Sequence, residues 1–405
     1  MDQSAHRPKS DSANRRTPWR LLALLMAMTA IGPTSLNILV PALPGLSAIF
    51  AVDPDTVQLA VSLFLTGLAV AQLLMGPLSD RFGRRPVALG GLVLTVVASL
   101  GAIVAVNVTS FIAARVLQAV GAATGLVIGR AIIRDLFDRD RSAAMLGLVT
   151  TAMVVAPMVS PLIGGLLELA FGWKAIFLFV AALALGVLVW AHVMLPETRN
   201  LHPARDGDGF LADLGRLMRS VAFNGYVACA TFGSATFFAF LGGGPHVVVT
   251  MMGKSSAEYG LWFAVSSLGY MSGNFVASRF SVRLGVDRMI LWGLVIESIG
   301  VAVSMAASTV PTLGPAVLFL PQIVISFGNG VMLPNSIAGA VSVRPQAAGT
   351  ASGVLGCVQM AVGAVFVQLG ALALIDAKTS LPLSLVMAAA AIVYALAFFL
   401  LVRRR

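Results

Sequence analysis

Gly76-Pro-Leu-Ser-Asp80-Arg81-Phe-Gly83-Arg84-Arg85 is a short polar and basic loop held between two long apolar runs, Thr56 to Gly76 before it and Pro86 to Val106 after it. Each run is long enough to cross ~30 Å of hydrocarbon as a helix. The same alternation continues outward in both directions. Further apolar stretches cover Trp19 to Val40, Ser110 to Ile133, Ala143 to Leu166, Trp173 to Leu195, Val221 to Leu241, Tyr259 to Phe280, Met289 to Ala307, Pro315 to Val343, Ala347 to Ile375 and Pro382 to Val402, which makes twelve spans in all. With 58% hydrophobic and 11% charged residues, the chain lacks polar material for the faces of a soluble helical protein, in which roughly a quarter of residues are charged. The expected fold class is an all-α integral membrane protein with twelve transmembrane helices.

The basic residues sit in every second gap. Of the 27, the side that includes the amino end holds 22, the opposite side holds Lys174, Lys254 and Lys378, and Arg115 and Arg130 lie inside the fourth span. Lys and Arg accumulate on the cytoplasmic side of a membrane protein, which predicts a multi-pass chain in the inner membrane with both termini cytoplasmic. The formal charge of +10 is then an orientation signal with some attraction to anionic lipid, and no nucleic-acid partner is expected. The polar first eighteen residues ahead of an apolar run superficially resemble a secretory signal. That run continues to Val40 without a clear small-residue cleavage site, so residues 1–18 are expected to stay as a cytoplasmic tail.

Cys229 and Cys357 both fall inside apolar spans, which suggests neither a disulfide framework nor a thiolate metal site. No His, Cys or carboxylate cluster has metal spacing, the Gly-rich loops lack a phosphate-cradle pattern and no nucleophile elbow occurs. Neither an enzyme, a metal nor a cofactor is expected. The expected partners are the lipid bilayer, a small-molecule substrate and protons, with the protein itself a monomer.

Pro196 to Ser220 is the longest and most polar internal gap, a linker between six-helix halves at 19–195 and 221–402, with 403–405 as a cytoplasmic tail. Within it Phe210, Leu211, Leu214, Leu217 and Met218 recur at helical spacing beside Arg216 and Arg219; a short interfacial helix and an unstructured linker both fit that pattern. The halves repeat each other weakly. Ser281-Val-Arg283-Leu-Gly285-Val-Asp287-Arg288 follows the eighth span where Gly76 to Arg85 follows the second. Parallel repeats of this kind place a substrate site between two halves.

Gly76, Asp80, Arg81, Gly83, Arg84 and Arg85 resemble the G-x-x-x-D-R-x-G-R-R loop signature of the major facilitator superfamily. Arg115, Gln118 and Gly121 loosely resemble that family's R-x-x-Q-G signature, and Pro157, Pro161, Gly164 and Gly165 resemble the proline and glycine signature of its antiporters. Val40-Pro41-Ala42-Leu43-Pro44 and Arg130-Ala-Ile-Ile-Arg134-Asp135 look like the Bcr/CflA drug-resistance branch. The resemblance runs from about Trp19 to the end and implies a secondary transporter, with Arg115 in the core taking part in proton coupling. It also implies a cavity lined by the first, fourth, seventh and tenth helices. On that arrangement Asn37, Arg115, Phe232, Thr236, Phe237, Phe240, Gln322, Asn329 and Asn335 are substrate-binding candidates, although helix packing or lipid contact accounts for the Phe cluster equally well.

The residues themselves suggest why such motifs suit transport. Asp80 lies at the same membrane side as the start of the eleventh span near Ala347, where free amides and a positive dipole end attract a carboxylate. A latch between halves would result, with Arg81, Arg84 and Arg85 pairing with Asp80, Asp138 or Asp140; the plain alternative is that these arginines only set topology. Pro157 and Pro161 remove two backbone donors one turn apart, and Gly164 and Gly165 permit close helix approach, which reads as a far-side gate or as ordinary helix packing. Charges at membrane depth cost at least ~2.5 kcal/mol and persist where they face a cavity or a partner. Arg115 is too deep to snorkel, Arg130 is not, and Glu297 near the middle of the ninth span is either a proton carrier or a neutral structural Glu. Asp80 is a further proton-coupling candidate.

One departure bears on the substrate. Drug-exporting relatives often carry an Asp before the Pro-Ala-Leu-Pro run, where this chain has Asn37. Asn exchanges no proton and offers no counter-charge to a cation, which points to neutral or zwitterionic amphiphiles. Export by proton antiport leads; nutrient uptake by the same fold and a non-transporting membrane sensor are the alternatives.

Overall fold

A computed structural model describes residues 19–137, 139–198, 210–308, 314–344 and 347–403. Helix α1 (Trp19–Asn37) passes through a 3-10 turn (Val40–Ala42) into α2 (Leu43–Phe50), followed by α3 (Pro54–Phe82), α4 (Arg84–Ile103), α5 (Val108–Leu136), α6 (Arg139–Phe171) and α7 (Trp173–Met194). A short α8 (Phe210–Met218) leads into α9 (Val221–Pro245), α10 (Ser256–Leu284), α11 (Val286–Ala307), α12 (Ala316–Ser342), α13 (Ala348–Leu372) and α14 (Leu381–Ala397). Both α9 and α14 run on into π-helical turns, His246–Met251 and Phe398–Val402. No strand occurs among the described residues.

Among the described residues, ten stretches are long and apolar enough to cross a membrane. The 29-residue α10 is outside that set because Ser, Tyr and Asn side chains interrupt it and Arg279 and Arg283 end it; the apolar described part of α6 is Val155–Phe171. Several helices outrun their apolar stretches. Polarity ends a hydrophobic run but not a hydrogen-bonded helix, so α3 begins at Pro54 behind Asp53 and continues through Asp80 and Arg81. The first span is instead cut short: α1 stops at Asn37 before Val40, because Pro41 lacks the N–H that would bond back to the Asn37 carbonyl.

Helices α1, α3 and α4 begin at 19, 54 and 84, and α9, α10 and α11 begin at 221, 256 and 286, a constant displacement of 202 residues. Backbone detail repeats with the spacing. Gly83 and Gly285 have φ of 101° and 84°, and their N–H groups donate to the carbonyls of Ser79 and Ser281 at 3.0 and 2.9 Å. A side chain would strain both positions, so glycine ends one helix there and opens the next. Packing follows the same repeat: α5 lies against α1, α3 and α4, while α12 lies against α9, α10 and α11. The sets α1–α7 and α9–α14 meet mainly along two seams, α3 with α13 and α6 with α10.

Val97, Leu178 and Phe275 are exposed on the outside of the bundle, whereas Arg115, Gln118, Glu297 and Asn329 are buried within it. Apolar outside and polar inside suits hydrocarbon surroundings. The linker pattern resolves as helix. In α8, Leu217 is fully buried beside Ala347, Ala351 and Val354, and Asp213 pairs with Arg344 at 3.8 Å, so α8 docks on the start of α13.

Candidate functional site

At the loop between α3 and α4 the basic residues are tied down individually. Arg84 is the hub: its Nη1 meets Asp80 at 2.5 Å and donates to Ser79 Oγ at 2.6 Å, and its Nε meets Asp135 of α5 at 3.2 Å. Arg85 donates from Nη2 to the His192 carbonyl at 2.8 Å, and the Arg81 guanidinium sits over the Phe82 ring. Gly76 has open space around its Cα, with its carbonyl taken by Ser79 Oγ at 2.8 Å. Asp138 lies outside the described residues, as does the side chain of Asp140.

A residue that the sequence reading passed over completes this loop. Glu197, just past α7, accepts from the backbone N–H groups of Arg84 at 2.9 Å and Arg85 at 3.1 Å. A carboxylate on the first free amides of α4 satisfies them and complements the helix dipole. Any Cβ at Gly83 would come within 2.6 Å of that carboxylate. The available signal was a lone acid in Pro196-Glu197-Thr198 at the end of an apolar run, with Thr198 Oγ1 also donating to Asp135 at 2.8 Å. In this conformation Asp80 takes the arginine partner expected of it within the loop rather than the first turn of α13. Its side chain is 62% exposed and bonded to Arg84, and the Arg134 guanidinium lies beside Gly349 in the first turn of α13.

Arg115 is 1% exposed. It donates from Nη1 to the Ser35 carbonyl at 3.0 Å and to Gln118 Oε1, and from Nε to the Ala60 carbonyl at 3.4 Å. Gln118 passes the chain on to Ser99 Oγ at 2.7 Å, so the network ties α5 to α1, α3 and α4. Phe64 lies under the guanidinium at 4.3 Å, and Nη2 has no hydrogen-bond partner. Glu297 occupies the other helix set. It is fully buried, accepts from Thr236 Oγ1 at 2.7 Å and leaves Oε2 without a partner. Asn329 joins from α12 by donating to the Gly233 carbonyl at 2.8 Å. Among the described residues neither Arg115 nor Glu297 has an ion-pair partner.

The end of the bundle opposite the Gly76–Arg85 loop is tightly joined. Gly165 approaches the Ser256 carbonyl of α10, Gly260 of α10 approaches the Pro161 carbonyl, and Gly164 approaches the Ile38 carbonyl just past α1. Pro157 is half-buried one turn earlier. On the second seam Gln368 of α13 accepts from Ser62 Oγ at 3.3 Å and donates to the Asp55 carbonyl at 3.1 Å. Sequence reading missed Gln368 because one amide in an apolar run carries no partner information.

The remaining cavity candidates scatter. Asn37 is buried, donates to the Pro33 carbonyl at 2.8 Å and keeps an unpartnered Oδ1. Gln322 is buried with Oε1 unpartnered, and Asn335 donates to the Val331 carbonyl at 2.8 Å. Phe237 is half-buried against Phe238 and Phe263. Phe240 is 1% exposed, packed on Phe263 and Phe319, which leaves no face for a ligand in this conformation. Phe232 lines a groove between α9 and α13, its ring against Phe366.

A model described as Major Facilitator Superfamily matches residues 25–367. The chain is 28% identical to the bicyclomycin resistance protein homolog of Haemophilus influenzae, over 96% of this chain and 98% of that one. It is 30% identical to multidrug resistance protein D of Escherichia coli, over 87% and 88%. In fold it is similar to a bacterial homolog of the human lysosomal transporter Spinster, solved inward-facing and unoccupied, with a TM-score of 0.78, 15% identity and coverage of 96% and 99%. With its helical architecture, its loop signature and full-length relatives named for drug resistance, this multi-pass membrane protein belongs to the major facilitator superfamily, whose members are transporters and not enzymes.

Proposed function

We propose that the chain is a monomeric inner-membrane exporter of drugs or neutral amphiphiles that works by proton antiport and alternating access. In this reading α1–α7 and α9–α14 form two six-helix halves, α6 and α10 cross the bilayer with the other ten spans, and both termini lie in the cytoplasm. The observation that carries the reading is, among the described residues, one buried charge-bearing side chain in each helix set, Arg115 and Glu297, neither with an opposite charge beside it. A buried charge without a partner is costly, and proteins keep one where ions or substrates must be handled. The far-end seams among α3, α13, α6 and α10 would close while the loop end opens. Asp80 and Arg84 would then re-pair as the halves rock, with the Pro157–Gly165 region as the far-side gate. Glu297 is the leading proton carrier, since Asn37 cannot titrate. The resistance names of the relatives favour export over uptake.

Everted membrane vesicles containing the protein test the direction. Accumulation of a neutral antimicrobial on energisation is the expected result. Loss of that compound from vesicles preloaded with it would instead mean uptake in the cell and would overturn export.

A further inference from the structure

Val354, Val358, Val362, Val365 and Leu369 recur every three or four residues along one stripe of α13. Val365 and Leu369 are 55% and 41% exposed, so in a membrane this stripe faces acyl chains. Toward the Gly76–Arg85 end the stripe becomes one wall of a groove of about 210 Å3, with α9 from Phe223 to Phe232 as the other wall and Met218 at its end. Among the described residues no charged side chain lines it.

Two polar groups do. Asn224 stands near the mouth and donates to the Met218 carbonyl at 2.7 Å. Thr231 lies deeper, 1% exposed, its hydroxyl without a partner. The residue 202 positions earlier, Thr29, occupies the matching place in α1 and donates to the Leu25 carbonyl at 2.8 Å. The repeat thus satisfies one threonine internally and leaves the other facing the groove. Thr231 stands ten residues into α9, ~15 Å from its start at 1.5 Å per residue. That is about half the hydrocarbon thickness, a depth at which a phospholipid chain offers only methylenes. An occupant that satisfies Thr231 must carry a polar atom into the hydrocarbon, and in a groove without charged residues that occupant is uncharged.

We propose that this groove is a lateral docking site for a neutral amphiphile that arrives through the bilayer. A carbonyl, ether or hydroxyl oxygen accepts from Thr231, and a second polar group ~10 Å away, two helical turns, meets Asn224. The inference rests on the export reading and adds the place where its neutral substrate first docks. Binding of radiolabelled chloramphenicol, as the neutral probe, and of tetraphenylphosphonium, as the cationic one, is measured on the purified protein in nanodiscs. Thr231→Val keeps the shape and removes the hydroxyl; chloramphenicol affinity falls about tenfold, Thr231→Ser restores it, and melting temperature does not drop. Val358→Trp fills the groove and abolishes chloramphenicol binding. Affinity unchanged in both Thr231→Val and Val358→Trp overturns the groove while wild-type transport leaves the export reading standing. A phospholipid retained by native mass spectrometry in wild type and lost in Val358→Trp, with drug affinity unchanged, overturns it in favour of a lipid. A wild type that neither binds nor transports either probe overturns both readings.

Discussion

A methyl group on Gly165 separates closure of the far end from stability of the fold. That methyl would run into the Ser256 carbonyl oxygen and lie 2.9 Å from the Ala257 Cα, both on the opposing helix α10. Backbone atoms cannot rotate away, so the helices must separate, and overpacking of this kind costs about 1–3 kcal/mol. Because α10 belongs to the other helix set, the cost falls only on conformations with the α6–α10 seam shut. The ratio of far-end-open to far-end-closed molecules should rise about 5- to 150-fold, the factor that 1–3 kcal/mol represents. Gly164→Ala is the control. Its methyl meets the Ile38 carbonyl within its own set, so it lowers stability without shifting that ratio. The assay is the maleimide labelling rate of a cysteine at Gln58, buried on α3 between Asp55 and Ser62, with Cys229 and Cys357 replaced. Faster labelling in Gly165→Ala and not in Gly164→Ala is expected; equal rates in the two variants would refute the seam as a moving interface.

Three further outcomes are expected. Asp80→Asn, which weakens the 2.5 Å contact to Arg84, should cut transport severalfold while the protein remains inserted; wild-type transport rates in that variant would sink the latch. Glu297→Gln keeps an acceptor for Thr236 and removes the titratable proton, so pH-driven flux should vanish while ligand binding persists, and normal coupled flux would remove Glu297 from the mechanism. Glu197→Ala frees two amides at the start of α4; a loss of about 1 kcal/mol, the usual worth of a helix cap, should appear as a lowered unfolding midpoint, with Glu197→Gln intermediate, and no change would mean water replaces the carboxylate at no cost.

Most of the helices were legible because a hydrophobic run longer than a bilayer crossing is hard to bury in anything but a membrane. The Gly76–Arg85 loop was legible because its glycine geometry is local: Gly83 and Gly285 need only their own backbone. Partners distant in sequence were not legible. Glu197 caps amides 112 and 113 residues away and Gln368 bridges to Ser62 across 306, and no spacing rule encodes either. Helix rotation was the other gap. Most of α9 is buried all round, so its sequence shows no single polar face, and assignment by helix membership put the packed Phe240 and the groove-lining Phe232 in the same cavity. Arg115 and Glu297 stood out because charge at membrane depth is rare, but their separate networks with Gln118 and Thr236 emerged only from the fold.

Proton release by the protein in proteoliposomes of defined internal pH, on addition of a panel of neutral and cationic antimicrobials, tests the central claim most directly. The account predicts release with neutral compounds, abolished by Glu297→Gln. Binding of those compounds with no proton release under any gradient would contradict antiport and leave facilitated or uptake transport in its place.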